Sequence, residues 1–157
     1  MMTHKILILG EGGVGKSSFV SRFNGEAFDA NYIPTLGVNV NPIRVRAFCA
    51  NMWDCAGQYR FRGLREGYFV NANAAIFIFD LTSPVTLLAL PKWIEICKGM
   101  CGNIPCVVVG TKCDAANKMS PEEVLRIIGP TYPYVEVSSK DNINIQEPCR
   151  LIEQLLG

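Results

Sequence analysis

A chain of 157 residues suits one domain around one apolar core, so residues 1–157 are expected to form a single domain. The formal charge of +1 excludes the basic field on which non-specific nucleic-acid binding relies, and it excludes an acidic tail as well. Although 49% of the residues are apolar, no run reaches the roughly 18 that a membrane-spanning helix needs.

In chain order, Ile6-Leu7-Ile8-Leu9 is a continuous apolar strand leading into a glycine loop and a helix over Lys16 to Phe23 that ends near Gly25. Gly37 to Ile43 and Ala47 to Trp53 read as an antiparallel pair, since Phe48, Ala50 and Met52 alternate with Cys49, Asn51 and Trp53. The turn between them is short and lacks an Asn-Gly signal. Ala74 to Phe79 and Cys106 to Val109 have the unbroken apolar character of buried parallel strands. Between these two, Pro84 to Cys97 carries a helical pattern, with Leu87, Leu90, Ile94 and Cys97 spaced for one face. Ser120-Pro121-Glu122-Glu123 is a capping-box start and predicts a helix to Ile128, before Gly129. Tyr134 to Val137 is the last strand. The final helix holds Ile145, Cys149, Ile152 and Leu156 on one stripe, with Pro148 either in its first turn or kinking it. This alternation predicts an α/β domain, a six-stranded, mostly parallel sheet with helices on both faces. Such sheets bind ligands in the loops at the carboxyl ends of their strands.

The seven cysteines include no CxxC pair and accompany a single histidine, which disfavours zinc. Cys97 and Cys101 share a helix face, but two thiols without further ligands make a poor metal site, and the cysteines read as buried reduced thiols. The start, Met1 to Lys5, has no signal-peptide layout and no glycine at position 2, and Cys149 is followed by eight residues, which is no prenylation box. The expectation is an intracellular protein without a membrane anchor.

Chemistry begins at Gly10-Glu11-Gly12-Gly13-Val14-Gly15-Lys16-Ser17, which matches G-x-x-x-x-G-K-[ST] where a strand gives way to a helix. Glycines let backbone N–H groups curl round phosphate oxygens, the helix N-terminus adds positive potential, Lys16 neutralises the β- and γ-phosphates and Ser17 ligates Mg²⁺. The plainer alternative is a flexible glycine turn, which chance composition makes rare. Trp53-Asp54-Cys55-Ala56-Gly57-Gln58 follows the third strand. Asp54 is placed to hold Mg²⁺ through water, Gly57 to bring a backbone N–H to a terminal phosphate, and Gln58 to orient an attacking water. Taken alone, such an aspartate is more often only structural. In Gly110-Thr111-Lys112-Cys113-Asp114 the Asp114 carboxylate matches the two N–H donors on guanine's Watson–Crick edge, a pair adenine lacks, and the stem of Lys112 packs over the ring. Val137-Ser138-Ser139-Lys140 is a weaker candidate, for a backbone N–H to the guanine oxygen.

The order GEGGVGKS, PTLG, WDCAGQ, TKCD and SSK resembles the Ras superfamily of small GTPases over essentially the whole chain. Within it, Tyr32 to Val38, Gly63 to Phe69, Thr82 to Thr86, Asn103 to Pro105 and Glu147-Pro148 are most similar to the Ran family of nuclear-transport GTPases. Thr111 stands where that family's NKxD motif has Asn, Ser139 where its SAK motif has Ala, and the turn between the second and third strands is shorter. Ile128 to Pro133 replaces a basic run, and the acidic tail is missing.

The resemblance implies GTP or GDP bound with Mg²⁺, and slow GTP hydrolysis with Gln58, Lys16 and Thr35 as the catalytic residues. The nucleotide would be held by Gly12, Gly13, Val14, Gly15, Lys16, Ser17, Ser18, Phe28, Thr35, Gly57, Thr111, Lys112, Asp114, Ser138, Ser139 and Lys140. Ser17 and Thr35 would ligate the metal directly and Asp54 through water, while Phe28 would stack edge-on against guanine. Activating factors, exchange factors and effectors would bind through segments 32–40 and 57–69, and Arg60, Phe61 and Arg62 are candidate contacts. Importin-type transport receptors are the partners implied by the Ran likeness, with a place in the cytoplasm, the nucleus or both. A nucleotide-bound adaptor that does not cycle is the rival reading, against which Gln58 and Thr35 argue. An ATP-using protein is disfavoured by Asp114.

Overall fold

The computed structural model describes residues 3–24, 31–33, 37–45, 48–55 and 66–157. Strand β1 (Thr3–Leu9) is fully buried from Ile6 to Leu9, as a strand covered on both faces must be. After it come helix α1 (Lys16–Asn24) and the strands β2 (Asn31–Ile33), β3 (Val38–Val45) and β4 (Phe48–Cys55). The short helix α2 (Glu66–Phe69) precedes β5 (Ala74–Asp80), and α3 (Pro84–Leu88) with α4 (Leu90–Cys101) precedes β6 (Cys106–Thr111). The chain closes with α5 (Pro121–Ile128), β7 (Tyr134–Glu136) and α6 (Glu147–Leu156).

The strands form one sheet in the order β2-β3-β4-β1-β5-β6-β7. Pairing is antiparallel at β2 with β3 and at β3 with β4, and parallel across the rest. The six strands expected from the sequence are all present. Asn31–Ile33 adds a seventh on the β3 edge, in three residues too few to carry a period of their own.

Alternation along β1 builds two cores. Ile6 and Ile8 face one side, with Phe19 of α1 and Cys149 and Ile152 of α6, while Leu7 and Leu9 face the other, with Tyr68 and Trp93. Burying such side chains stabilises each by about 1.5–3 kcal/mol.

Where a single helix was expected over Pro84 to Cys97 there are two, broken at Ala89. Pro91 has no N–H for the Leu87 carbonyl and its ring crowds that oxygen, so the turn before it cannot continue. The second helix runs on to Cys101 and ends on Gly102 at φ 73°. Ser120 and Glu123 form the expected reciprocal capping box, and Pro148 sits in the first turn of α6. Of the cysteines, Cys97, Cys106 and Cys149 are buried free thiols, whereas Cys49, Cys101 and Cys113 are only half-buried. Burial pushes the Cys106 thiol up to about 11, which makes it inert.

Candidate functional site

The loop from Gly10 to Ser17 leaves the carboxyl end of β1 and opens α1. A Cβ at Gly10 would run into the carbonyl oxygen of Ile78 on the neighbouring strand, so only glycine lets the loop start this close to the sheet. Gly13 at φ 77° and Gly15 at φ 97° occupy the left-handed region that turns the chain back on itself. Lys16 lies inside that turn, 7% exposed, and its ammonium donates to the carbonyl oxygens of Gly10 at 3.1 Å and Glu11 at 2.7 Å. The loop thereby wraps a positive charge at a helix N-terminus, an arrangement that receives phosphate. The Glu11 carboxylate accepts a hydrogen bond of 2.8 Å from the indole Nε1–H of Trp93 on α4.

Register brings the second element alongside. Ile8 pairs with Asp54, which places that carboxylate at the end of β4 next to the loop. The Ser17 hydroxyl donates to Asp54 Oδ2 at 2.9 Å, so two groups 37 residues apart in sequence meet as expected. Asp54 is 1% exposed, and its other oxygen, Oδ1, is buried with no hydrogen-bond partner. Burial pushes this carboxyl up, while the Ser17 hydroxyl and the Lys16 charge pull it back down. A hydroxyl beside a carboxylate with an unspent buried lone pair is an oxygen donor set suited to a hard divalent cation. These residues fit Mg²⁺, which Ser17 and Asp54 would hold.

The base end is assembled from β5, β6 and the segment after β7. The Thr111 hydroxyl, at the end of β6, donates to the Val14 carbonyl at 2.6 Å and so ties the base loop to the phosphate loop. Lys112 follows at φ 64°, its ammonium 2.7 Å from Asp80 Oδ2 at the end of β5. Asp80 Oδ1 takes the Thr82 N–H at 2.8 Å and its hydroxyl at 2.7 Å. Burial pushes the Asp80 carboxyl up, but Lys112 and Thr82 outweigh this and hold it below the usual range. Asp114 Oδ1 accepts from the Ser138 hydroxyl at 2.7 Å, which holds that carboxyl low and therefore ionised as a pure acceptor. The N–H of Asp141 in turn donates to the Ser138 oxygen at 3.0 Å.

Between these groups lies a cavity of about 310 Å³, lined by Val14, Gly15 and Ser18 from the first half of the chain and by Thr111, Lys112, Asp114, Ala115, Ser139 and Lys140 from the second. A wider cleft bordered by Ser17, Ser18, Ser21, Arg22, Ser139 and Lys140 shares part of this lining. The structure therefore gathers Val14 to Ser18, Asp54, Thr111, Lys112, Asp114, Ser138, Ser139 and Lys140 in one region. Within Val137 to Lys140, Ser138 makes a side-chain contact that the sequence reading does not include. Its N–H is taken by the Ile143 carbonyl at 3.1 Å, and its hydroxyl orients Asp114, leaving the backbone donors of Ser139 and Lys140 for a base. Phe28, Thr35, Gly57, Gln58, Arg60, Phe61 and Arg62 lie outside the described residues.

Three contacts have no counterpart in the sequence reading: Asp80 on Lys112, Trp93 on Glu11, and the anchoring of α2. The Tyr68 hydroxyl lies within reach of the carbonyls of Ile8 at 2.9 Å and Trp53 at 2.8 Å, and the Lys5 ammonium donates to those of Gly67 at 3.2 Å and Val70 at 2.8 Å. An acid at the end of an apolar strand was the only visible signal for the first. Compared with known protein families, the chain matches the profile described as the Ras family over residues 5–156.

Proposed function

The chain belongs to the Ras family of small GTPases, and from that premise we propose that it binds GDP and GTP with Mg²⁺, hydrolyses GTP slowly and changes partners with the bound nucleotide. The observation that carries this reading is two adjoining clefts that share Ser18, Ser139 and Lys140, one bordered by Ser17, whose hydroxyl bonds Asp54, and the other lined by the Asp114 carboxylate that Ser138 orients. The first suits a metal-bound phosphate tail; the second suits guanine.

In the reaction, water attacks the γ-phosphorus in line, the bond from that phosphorus to the β-phosphate oxygen breaks, and GDP departs with the electron pair while the proton passes to the released phosphate. Mg²⁺ supplies charge neutralisation when bound. Lys16 leaves the Gly10 and Glu11 carbonyls for the phosphate oxygens, and Asp114 fixes the base. Gln58 orients the water and Thr35 closes on the γ-phosphate, as the family resemblance implies. No arginine of this sequence stands out as an internal finger, so acceleration comes from a residue donated by an activating partner. Loss of the γ-phosphate releases segments 32–40 and 57–69, through which exchange factors and effectors bind.

Single-turnover hydrolysis with Mg²⁺ tests the enzymatic part. Phosphate release, faster with an arginine-donating activator, is expected; none under either condition would leave a nucleotide-bound adaptor. Competition between GDP and ADP tests the base assignment, and tighter ADP binding would refute it.

The Ran-like passages support a more specific role, in traffic of cargo between nucleus and cytoplasm with importin-type receptors as partners. Capture of such receptors by the GTP-loaded form over the GDP-loaded form is the expected result. Their equal capture or absence would remove the transport role and leave the switch.

A further inference from the structure

We propose that Trp93 is a positioning residue for the phosphate-binding loop, its indole N–H holding the Glu11 carboxylate away from the phosphates and from Lys16. The inference rests on the reading above, that this loop receives the phosphates of a guanine nucleotide. Glu11 is a carboxylate inside an anion-binding loop, at a position where the loop pattern demands no particular side chain. A negative charge there opposes bound phosphate, and the opposition grows as the site loses water. It also has a nearer target. The Glu11 carbonyl is 2.7 Å from Lys16 Nζ, so the backbone that carries this carboxylate already lies against that ammonium. A carboxylate seated on Lys16 would cancel the charge that phosphate needs.

In the structure the carboxylate goes elsewhere. Its Oε2 accepts from Trp93 Nε1 at 2.8 Å, across 82 residues of chain. Trp93 is 1% exposed and packed in the core that holds Leu90, Tyr68 and Phe77, so the indole is fixed before any ligand arrives. An indole nitrogen only donates and a carboxylate only accepts, which leaves the polarity of the contact unambiguous.

The test follows release of a fluorescent GDP from the Mg²⁺-loaded full chain, chased with unlabelled GDP. Trp93→Phe should release it about tenfold faster, the scale of a lost hydrogen bond to a charged group. In a Glu11→Ala background the same substitution should change the rate by less than about twofold, because the carboxylate it restrained is gone. An indole that merely fills the core would accelerate release equally in both backgrounds, and that result overturns the proposal. Should Trp93→Phe be too unstable to load, the indole N–H resonances of Glu11→Ala decide. One of the two tryptophans should move while Trp53 stays, and two unmoved resonances overturn the contact. Failure of the unmodified chain to bind GDP would sink the functional reading and this inference together, whereas binding with equal acceleration in both backgrounds sinks the inference alone.

Discussion

At the phosphate end of the site the charged groups are turned onto their own surroundings: Lys16 lies on the carbonyls of Gly10 and Glu11, and Asp54 keeps one buried oxygen unpaired. At the base end two charges already have partners that aim them. Ser138 holds Asp114, and Asp80 holds Lys112. The first half must exchange internal bonds for ligand bonds, so its affinity is a difference between two sets of interactions and is sensitive to metal. The second half is organised beforehand and contributes discrimination with little rearrangement.

The largest expected effect lies on the organised side. Asp114→Ala should weaken GDP binding by about a hundredfold or more, the sum of two charge-assisted hydrogen bonds, while ADP binding stays as it was. Calorimetric titration with both nucleotides checks this, and an equal loss for both would erase the distinction between the two ends. On the phosphate side, Ser17→Ala should raise the Mg²⁺ concentration needed for tight GDP binding by about ten- to a hundredfold. That loss should appear for GDP and GTP alike and leave the preference for guanine intact. A metal titration of nucleotide release measures it.

Gly10→Ala separates folding from recognition. The added methyl must displace the Ile78 carbonyl or the loop, at about 1–3 kcal/mol of stability, and thermal unfolding of the nucleotide-free chain reads the loss. The smallest effect is expected at Asp80→Asn, which releases Lys112 and should speed GDP dissociation about two- to fivefold, as befits a half-exposed ion pair. Its pH dependence has a definite sign. The Asp80 carboxyl is held below its ordinary value of 3.8, so its contribution is fully present above that value and is lost as pH falls through the lower, folded one. The stability difference between the chain and Asp80→Asn should be flat from neutrality to about pH 5 and shrink below about pH 4. A difference growing toward acid would contradict the pairing.

The phosphate loop is legible in the sequence because its demands fall on the backbone, and glycines at fixed spacing before Lys16 and Ser17 state them locally. Asp114 is legible for a related reason, as a carboxylate just past an apolar strand. Asp80 also ends an apolar strand, but its meaning depends on where Lys112 arrives from β6, which no local pattern records. Trp93 carries no such signal either, since nothing in its own helix points to Glu11. The break at Ala89 hides behind periodicity. Leu87, Leu90, Ile94 and Cys97 keep helical spacing across it, and the two helices still present a common apolar side to the sheet. The side-chain contact of Ser138 with Asp114 has no local signal, because it depends on a turn, closed by the bridge to Ile143, that carries no periodicity.

The Thr111 hydroxyl has a single proton and two carbonyls within reach, Val14 at 2.6 Å and Phe79 at 3.0 Å, the first being the shorter contact. That contact joins the loop after β1 to the end of β6, two segments that line the same cavity. A nucleotide bound as proposed would lie against both segments, so a change at that hydroxyl would be expected to alter its release.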